Sequence, residues 1–308
     1  MNVTVEYQAL APIIILLAAG VLSVLVEAFI PRTLRRPIQL MLVLASIVLA
    51  FAYVVINATA QLAGDPVTNG GQVKGLRQLA AGGAVAIDGP GMVIQGIILL
   101  VSFVAALLLA ERQIDPQGDA FASRSSTLPG SEDERQFTAQ GWLQTEIWPL
   151  YLFCVGGMLL FPVSNDFLTM FVALEVFSLP LYLMASMARR RRLLSHEAAL
   201  KYFILGAFSS AFFLFGAALI YAATSSISFS TVAVAMENSS QDGLIIPGIM
   251  FTGLALYPFI ESWATGDKRE HHLLDRPRNA PNRTAIGARA LTFTLVSLLN
   301  GGNDIIAT

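Results

Sequence analysis

FLTMFVALEVFSLPLYLMASMA, residues Phe167–Ala188, is the stretch on which the reading of the chain turns. It is about as long as a bilayer is thick, since a spanning helix needs roughly 20 apolar residues. Its one charge, Glu175, sits near the middle. A carboxylate at that depth costs about 2.5–3.5 kcal/mol on insertion scales. Five residues on, Pro180 removes the backbone hydrogen bond to the Val176 carbonyl. Phe171, Glu175, Ser178 and Tyr182 are spaced i, i+4, i+7, i+11, so they fall on one helical face. The segment reads as an apolar helix with a semi-polar stripe.

The whole chain agrees with a membrane setting. Of its 308 residues 55% are hydrophobic and 13% charged, with a mean hydropathy of +0.64; soluble domains carry about 25% charge. Eight hydrophobic segments are expected, near 10–30, 38–58, 90–110, 146–163, 166–187, 199–223, 244–261 and 286–300. The last is the shortest. The first has no positive n-region and carries Glu6 in its flank, so it is not read as a cleavable signal. The stretches 59–87 and 111–145 are rich in small and polar residues and are read as surface connections. No short-period repeat is visible.

Charge sets the expected orientation. With eight spans, every Lys and Arg falls on one side except Lys74 and Arg77, on the other, and Lys201, inside segment six. The positive-inside rule places that rich side in the cytoplasm and the N-terminus outside it.

Few residues can carry chemistry. Three His and one Cys cannot ligate an iron–sulfur cluster, which needs several thiolates. No Gly-rich phosphate loop follows a strand. No cofactor is therefore expected on this chain, and nothing suggests a nucleic-acid partner. Cys154, in an apolar run, reads as a small hydrophobe.

Glu175 reads either as polar glue between helices or as a proton or ion relay, the usual meaning of a buried ionisable residue in a span. Lys201 reads either as a snorkelling residue paired with Glu197 at i, i+4 or as a charge partner of Glu175. The rise per residue separates them in depth. Glu175 lies roughly 21 Å from Arg189, whereas Lys201 lies roughly 9 Å from Ser195, so a link through water is expected over direct contact. Gly206, Ala207, Ser209 and Ser210 would let segment six pack closely.

Four further features have plain readings. Glu27 is expected at the interface. Asp88, before Gly89-Pro90, reads as a helix N-terminal acid. Arg189–Arg192 reads as a topogenic cluster that can also contact anionic lipid. His271 and His272 read as loop residues, because neighbours on a helix point about 100° apart.

The run NDFLTMFVALEVFSLPLYLMASMARRRRLLSHEAALKYFILGAFSSAFFLFGAALIYAATSSISF, residues 165–229, resembles subunit N of the proton-pumping NADH:quinone oxidoreductases, the respiratory complex I family. The pattern is a membrane-centred Glu in LE.FSLPLY, a basic loop, then EAALKYF and a small-residue helix ending in ALIYA. The resemblance covers about residues 1–235, including Ile87-Asp88-Gly89. It implies an antiporter-like bundle of six helices over 1–240, a membrane-arm subunit of the complex, and Glu175 and Lys201 in proton relay. NADH, FMN and iron–sulfur clusters would then belong to partner subunits. Quinone would be the substrate of the whole complex and reach this chain only indirectly. The setting implied is the bacterial plasma membrane, multi-pass, among other membrane-arm subunits and lipid.

The family's further Lys-bearing helices do not follow. Residues 243–308, with YPFIE…TGDKREHHLLDRPR.AP.RTA, instead resemble the C-terminal part of a bacterial cytochrome b subunit. A join near Glu237–Gly243 is expected, giving a second piece over 241–308 with two helices. None of that family's haem or quinol residues is carried over. The expected fold is all-α and polytopic, with about eight transmembrane helices. Two other functions are kept beside the first: a cytochrome b fragment of a menaquinol:cytochrome c oxidoreductase, and a subunit of a multisubunit Na⁺/H⁺ antiporter.

Overall fold

The computed structural model describes residues 7–62, 78–110, 132, 146–187, 192–238 and 242–265. It is built almost wholly of helices, which satisfy every backbone N–H and C=O within one segment, as lipid surroundings require. In chain order they are α1 (Tyr7–Phe29), α2 (Arg32–Leu62), α3 (Gly89–Ala110), α4 (Ile147–Leu160), α5 (Phe167–Ser186), α6 (Arg192–Thr224), α7 (Phe229–Asn238) and α8 (Asp242–Thr265). Five contain segments long and apolar enough to cross a membrane: Tyr7–Phe29, Leu34–Ala60, Gly89–Ala110, Phe167–Ser186 and Ala199–Thr224. Ile147–Val163 and Gly243–Ala255 are shorter apolar helices. Seven of the eight expected segments are thus helical, and the one at 286–300 lies outside the described residues.

The chain divides into two units, Met1–Ala255 and Leu256–Thr308. In the first, α1 packs on α2 and α4, α2 on α3, α4 on α5, and α5 on α6. Leu16, Ile47, Leu99, Leu152 and Leu159 are fully buried where α1 to α4 meet. Close approach depends on glycine. A Cβ at Gly157 would lie 2.6 Å from the Phe177 backbone nitrogen, so α4 rests directly on the backbone of α5. A Cβ at Gly216 would lie 2.6 Å from the Gly248 carbonyl oxygen, so α6 and α8 cross there in the same way. The second unit is described only over 256–265, the last turns of α8.

Two elements were not expected. One is a hairpin, β1 (Gln78–Ala80) and β2 (Val85–Ile87), paired Gln78↔Ile87, Leu79↔Ala86 and Ala80↔Val85. Its turn runs through Ala81, Gly82 and Gly83, all at positive φ, where two glycines avoid the Cβ clash that other residues meet. The other is α7. Three-residue strands and a ten-residue helix leave too short a hydrophobic period to see.

Asn165 ties the two together. Its side-chain amide donates to the Gly83 carbonyl (2.8 Å), its N–H donates to the Ala84 carbonyl (2.8 Å), and its own carbonyl accepts from Phe229 N–H (3.1 Å). Asp166 next to it caps α5, accepting from the Thr169 N–H (2.6 Å) and hydroxyl (2.8 Å).

Candidate functional site

The site lies on the seam between α5 and α6. The stripe Phe171–Glu175–Ser178–Tyr182 forms the α5 side, as its spacing predicts. Ser178 and Tyr182 are buried; Phe171 and Glu175 are half-buried. The two helices run antiparallel, so residues climb on one as they fall on the other. Phe171 stacks on Phe213, with ring centroids 6.1 Å apart. One turn on, Glu175 Oε1 accepts a hydrogen bond from the Ser210 hydroxyl. Two turns beyond that, the Tyr182 hydroxyl lies over Gly206, where a Cβ would overlap it and approach its ring carbon Cζ to 2.7 Å. Tyr182 also meets Tyr202 (5.7 Å between centroids) and Phe203 (6.1 Å). The carboxyl group therefore sits between a buried aromatic pair on one side and a tyrosine hydroxyl on the other. Phe213 is 0% exposed, so the aromatic side excludes water.

The structure does not bring Glu175 and Lys201 together. Lys201 pairs instead with Glu197, one turn earlier on its own helix, and their side chains are 73% and 57% exposed. The reason is rotational as well as axial. Nine residues separate Lys201 from Ser210. At about 100° per residue that is roughly 180°, so the two lie on opposite faces of α6, and they are roughly 13 Å apart along it. Ser210 faces Glu175; Lys201 faces away. The Lys201 ammonium, by its hydrogen bond and charge, holds the Glu197 carboxyl below its ordinary value.

A second polar seam joins α1 and α2. Glu27 pairs with Arg35 Nη1 at 2.7 Å, and both side chains are less than one-fifth exposed. Gln39, fully buried, donates to the Ser23 carbonyl (2.8 Å) and accepts from the Ser23 hydroxyl. Arg36 donates to the Ala110 carbonyl (2.9 Å) and so ties α2 to the end of α3. Glu27 was expected only to be solvated at an interface. Its Arg35 partner was not foreseen, although VEAF…RRPIQ carries both residues across a tight turn.

Asp88 caps α3 through the Gly91 N–H (2.8 Å), as its position before Gly89-Pro90 suggests. Cys154 is buried and free. Among the described residues no group of three or more His, Cys, Asp or Glu could hold a metal ion. His271, His272 and Arg189–Arg191 lie outside the described residues. Sequence reasoning treated Ser209 and Ser210 only as small residues for packing. In fact Ser209 donates to the Ala255 carbonyl of α8 and Ser210 to Glu175. The visible signal was two hydroxyls in the middle of a long apolar helix.

Residues 164–261 match the family described as NADH:quinone oxidoreductase/Mrp antiporter, TM. The chain is 49% identical over 253 residues to the NADH-quinone oxidoreductase subunit N of Acidothermus cellulolyticus, covering 82% of this chain and 46% of that protein. It is 45% identical to the subunit N of Rhodococcus opacus, covering 84% and 50%, and 47% identical to a subunit N of Streptomyces griseus, covering 76% and 42%. The chain thus spans about half the length of the curated relatives it matches. Among solved structures it is similar to a chain of the archaeal membrane-bound sulfane sulfur reductase (TM-score 0.56, 20% identity, 82% of this chain and 44% of that one), a likeness of fold. A chain of respiratory complex I from Thermus thermophilus also matches (TM-score 0.49, 27% identity, 77% and 42%). The resemblance to subunit N holds over four-fifths of the chain, and the fold is that of an antiporter-like membrane protein.

Proposed function

We propose that the chain acts as a membrane-arm subunit of an NADH:quinone oxidoreductase, where electron transfer in partner subunits drives proton movement through it. Glu175 is the relay carboxylate. One observation carries this. An acid sits half-buried at the middle of an apolar span, turned onto the neighbouring helix with a hydroxyl as its partner. Among the described residues the ion pairs Glu27–Arg35 and Glu197–Lys201 do not touch Glu175. Lys201 enters as a charge near the start of α6, paired with Glu197 and out of contact with Glu175.

The driving force comes from partners. The sequence supplies one Cys and three His, too few thiolates for an iron–sulfur cluster. NADH, FMN and iron–sulfur clusters belong in this reading to other subunits, and the setting is a bacterial plasma membrane with the N-terminus outside. Two measurements test it. Co-expressed with the other membrane-arm subunits, the chain co-purifies with them. Reconstituted alone in liposomes, it gives no sustained proton flux; robust flux abolished by Glu175→Gln would contradict the need for partners.

A change of ancestry toward the C-terminal end is kept as a second proposal. The continuous helix α8, the Gly216–Gly248 crossing and the family match through residue 261 favour a boundary beyond 261 over one near Glu237–Gly243. Mass-spectrometric peptides across residues 235–290 would show whether the natural protein carries this junction at all.

A further inference from the structure

We propose that Ser210 is the positioning residue for Glu175: its hydroxyl, aimed from α6 across the seam, holds the carboxyl against α6 and away from lipid. The meaning of this for proton movement rests on the reading of Glu175 as the relay group.

Three observations converge on Ser210. It donates directly to Glu175 Oε1. Gly206, one turn earlier on the same face of α6, is the seat of the Tyr182 hydroxyl, so this face carries the polar side of the seam twice. Lys201, the cation on the same helix, lies on the opposite face and is engaged with Glu197. The neighbouring Ser209 is buried and committed to the Ala255 carbonyl, so it cannot substitute. One turn from Glu175 on α5, Phe171 stacks on Phe213 of α6 at 6.1 Å and closes the seam on that side. With Ser210 gone, the remaining freedom of Glu175 is toward the lipid side of α5, where Val172 and Leu179 are exposed.

The test reads that position chemically. Dicyclohexylcarbodiimide is lipophilic and reaches carboxyl groups from the membrane. The acid's proton goes to a carbodiimide nitrogen, its oxygen bonds the central carbon, and acyl transfer to nitrogen leaves a stable adduct. Nothing is lost, so the peptide gains the reagent's full mass. The full 308-residue chain in lipid nanodiscs is labelled, and Glu175 and Glu27 adducts are quantified by mass spectrometry. Ser210→Ala labels at Glu175 several-fold faster than the unaltered chain, Ser210→Thr returns the rate to within about two-fold, and Glu27 labels equally in all three. Labelling of Glu175 in Ser210→Ala at the unaltered rate overturns the proposal. A parallel rise at Glu27 also overturns it, since that marks general loosening of the bundle. The readout is independent of pumping: it reports the bond whether or not a proton moves, so failure of the relay reading would appear in flux assays and leave this result standing.

Discussion

The α1–α2 seam and the α5–α6 seam each hold a half-buried carboxylate between two apolar helices, and they do so in opposite ways. Glu27 meets a guanidinium, and beside them Gln39 and Ser23 exchange hydrogen bonds. Glu175 meets a hydroxyl from the facing helix, with Tyr182 and an aromatic pair as its other neighbours. The first arrangement pairs two opposite charges; the second holds the acid by a hydroxyl alone among the groups described. A buried ion pair resists losing either member, because the survivor is left charged and poorly solvated. A hydroxyl partner accepts either state of the acid, since it can donate to the anion or accept from the acid proton. The difference separates an ion-pair clamp from a hydroxyl-held acid, the arrangement on which the proposed relay role rests.

The contrast predicts the largest loss at the clamp. Arg35→Ala removes the guanidinium from Glu27, leaving it Gln39 Nε2 at 3.4 Å, and costs about 2 kcal/mol, the scale of a hydrogen bond to a charged group. It lowers the thermal midpoint of the detergent-solubilised protein, while Arg35→Ala with Glu27→Gln recovers most of it. Glu175→Gln, by comparison, keeps an oxygen that accepts from Ser210 and changes stability by less than about 1 kcal/mol. If Glu175→Gln melts as early as Arg35→Ala, the two seams do not differ in kind.

Next comes packing. Gly157→Val drives a side chain into the α5 backbone at Phe177, close to the turn that carries Glu175. Overpacking of this kind costs about 1–3 kcal/mol. Helix–helix distances measured by cross-linking between α4 and α5 would lengthen. A smaller effect is expected at Asn165→Ala, which removes the side-chain bond to Gly83. That loss is about 1 kcal/mol, and amide exchange of the β1–β2 hairpin would quicken while the seams stay protected.

How much of this was legible in the residues depends on period and on rotation. The spacing of Phe171, Glu175, Ser178 and Tyr182 placed the stripe on one face, and the long apolar runs marked the helices, because both signals repeat along the chain. The hairpin and α7 lacked that repetition. The i, i+4 pairing of Lys201 with Glu197 was legible in the spacing, and so was the depth gap that keeps Lys201 from direct contact with Glu175. Depth along α6 was weighed, but the angle around it was not, and nine residues turn Lys201 to the far side. Opposite charges drew attention; two serines in an apolar run did not, though their hydroxyls are the groups that cross to neighbouring helices.

The smallest effect belongs to the exposed pair. Glu197 and Lys201 are largely solvated, so Lys201→Ala leaves the melting temperature unchanged. The Glu197 carboxyl is held below its ordinary value in the folded chain, so the pair's contribution is present above the ordinary glutamate range and fades as pH falls through the lowered value. An NMR titration of Glu197 in Lys201→Ala should move back up toward that range.

The most direct measurement is proton translocation per NADH oxidised, in membranes where the chain is assembled with its partner subunits, for the unaltered chain, Glu175→Gln and Glu175→Asp. Glu175→Gln should assemble normally and lose most of its pumping, with Glu175→Asp retaining part of it. Pumping by assembled Glu175→Gln at the unaltered rate would remove Glu175 from the proton's route.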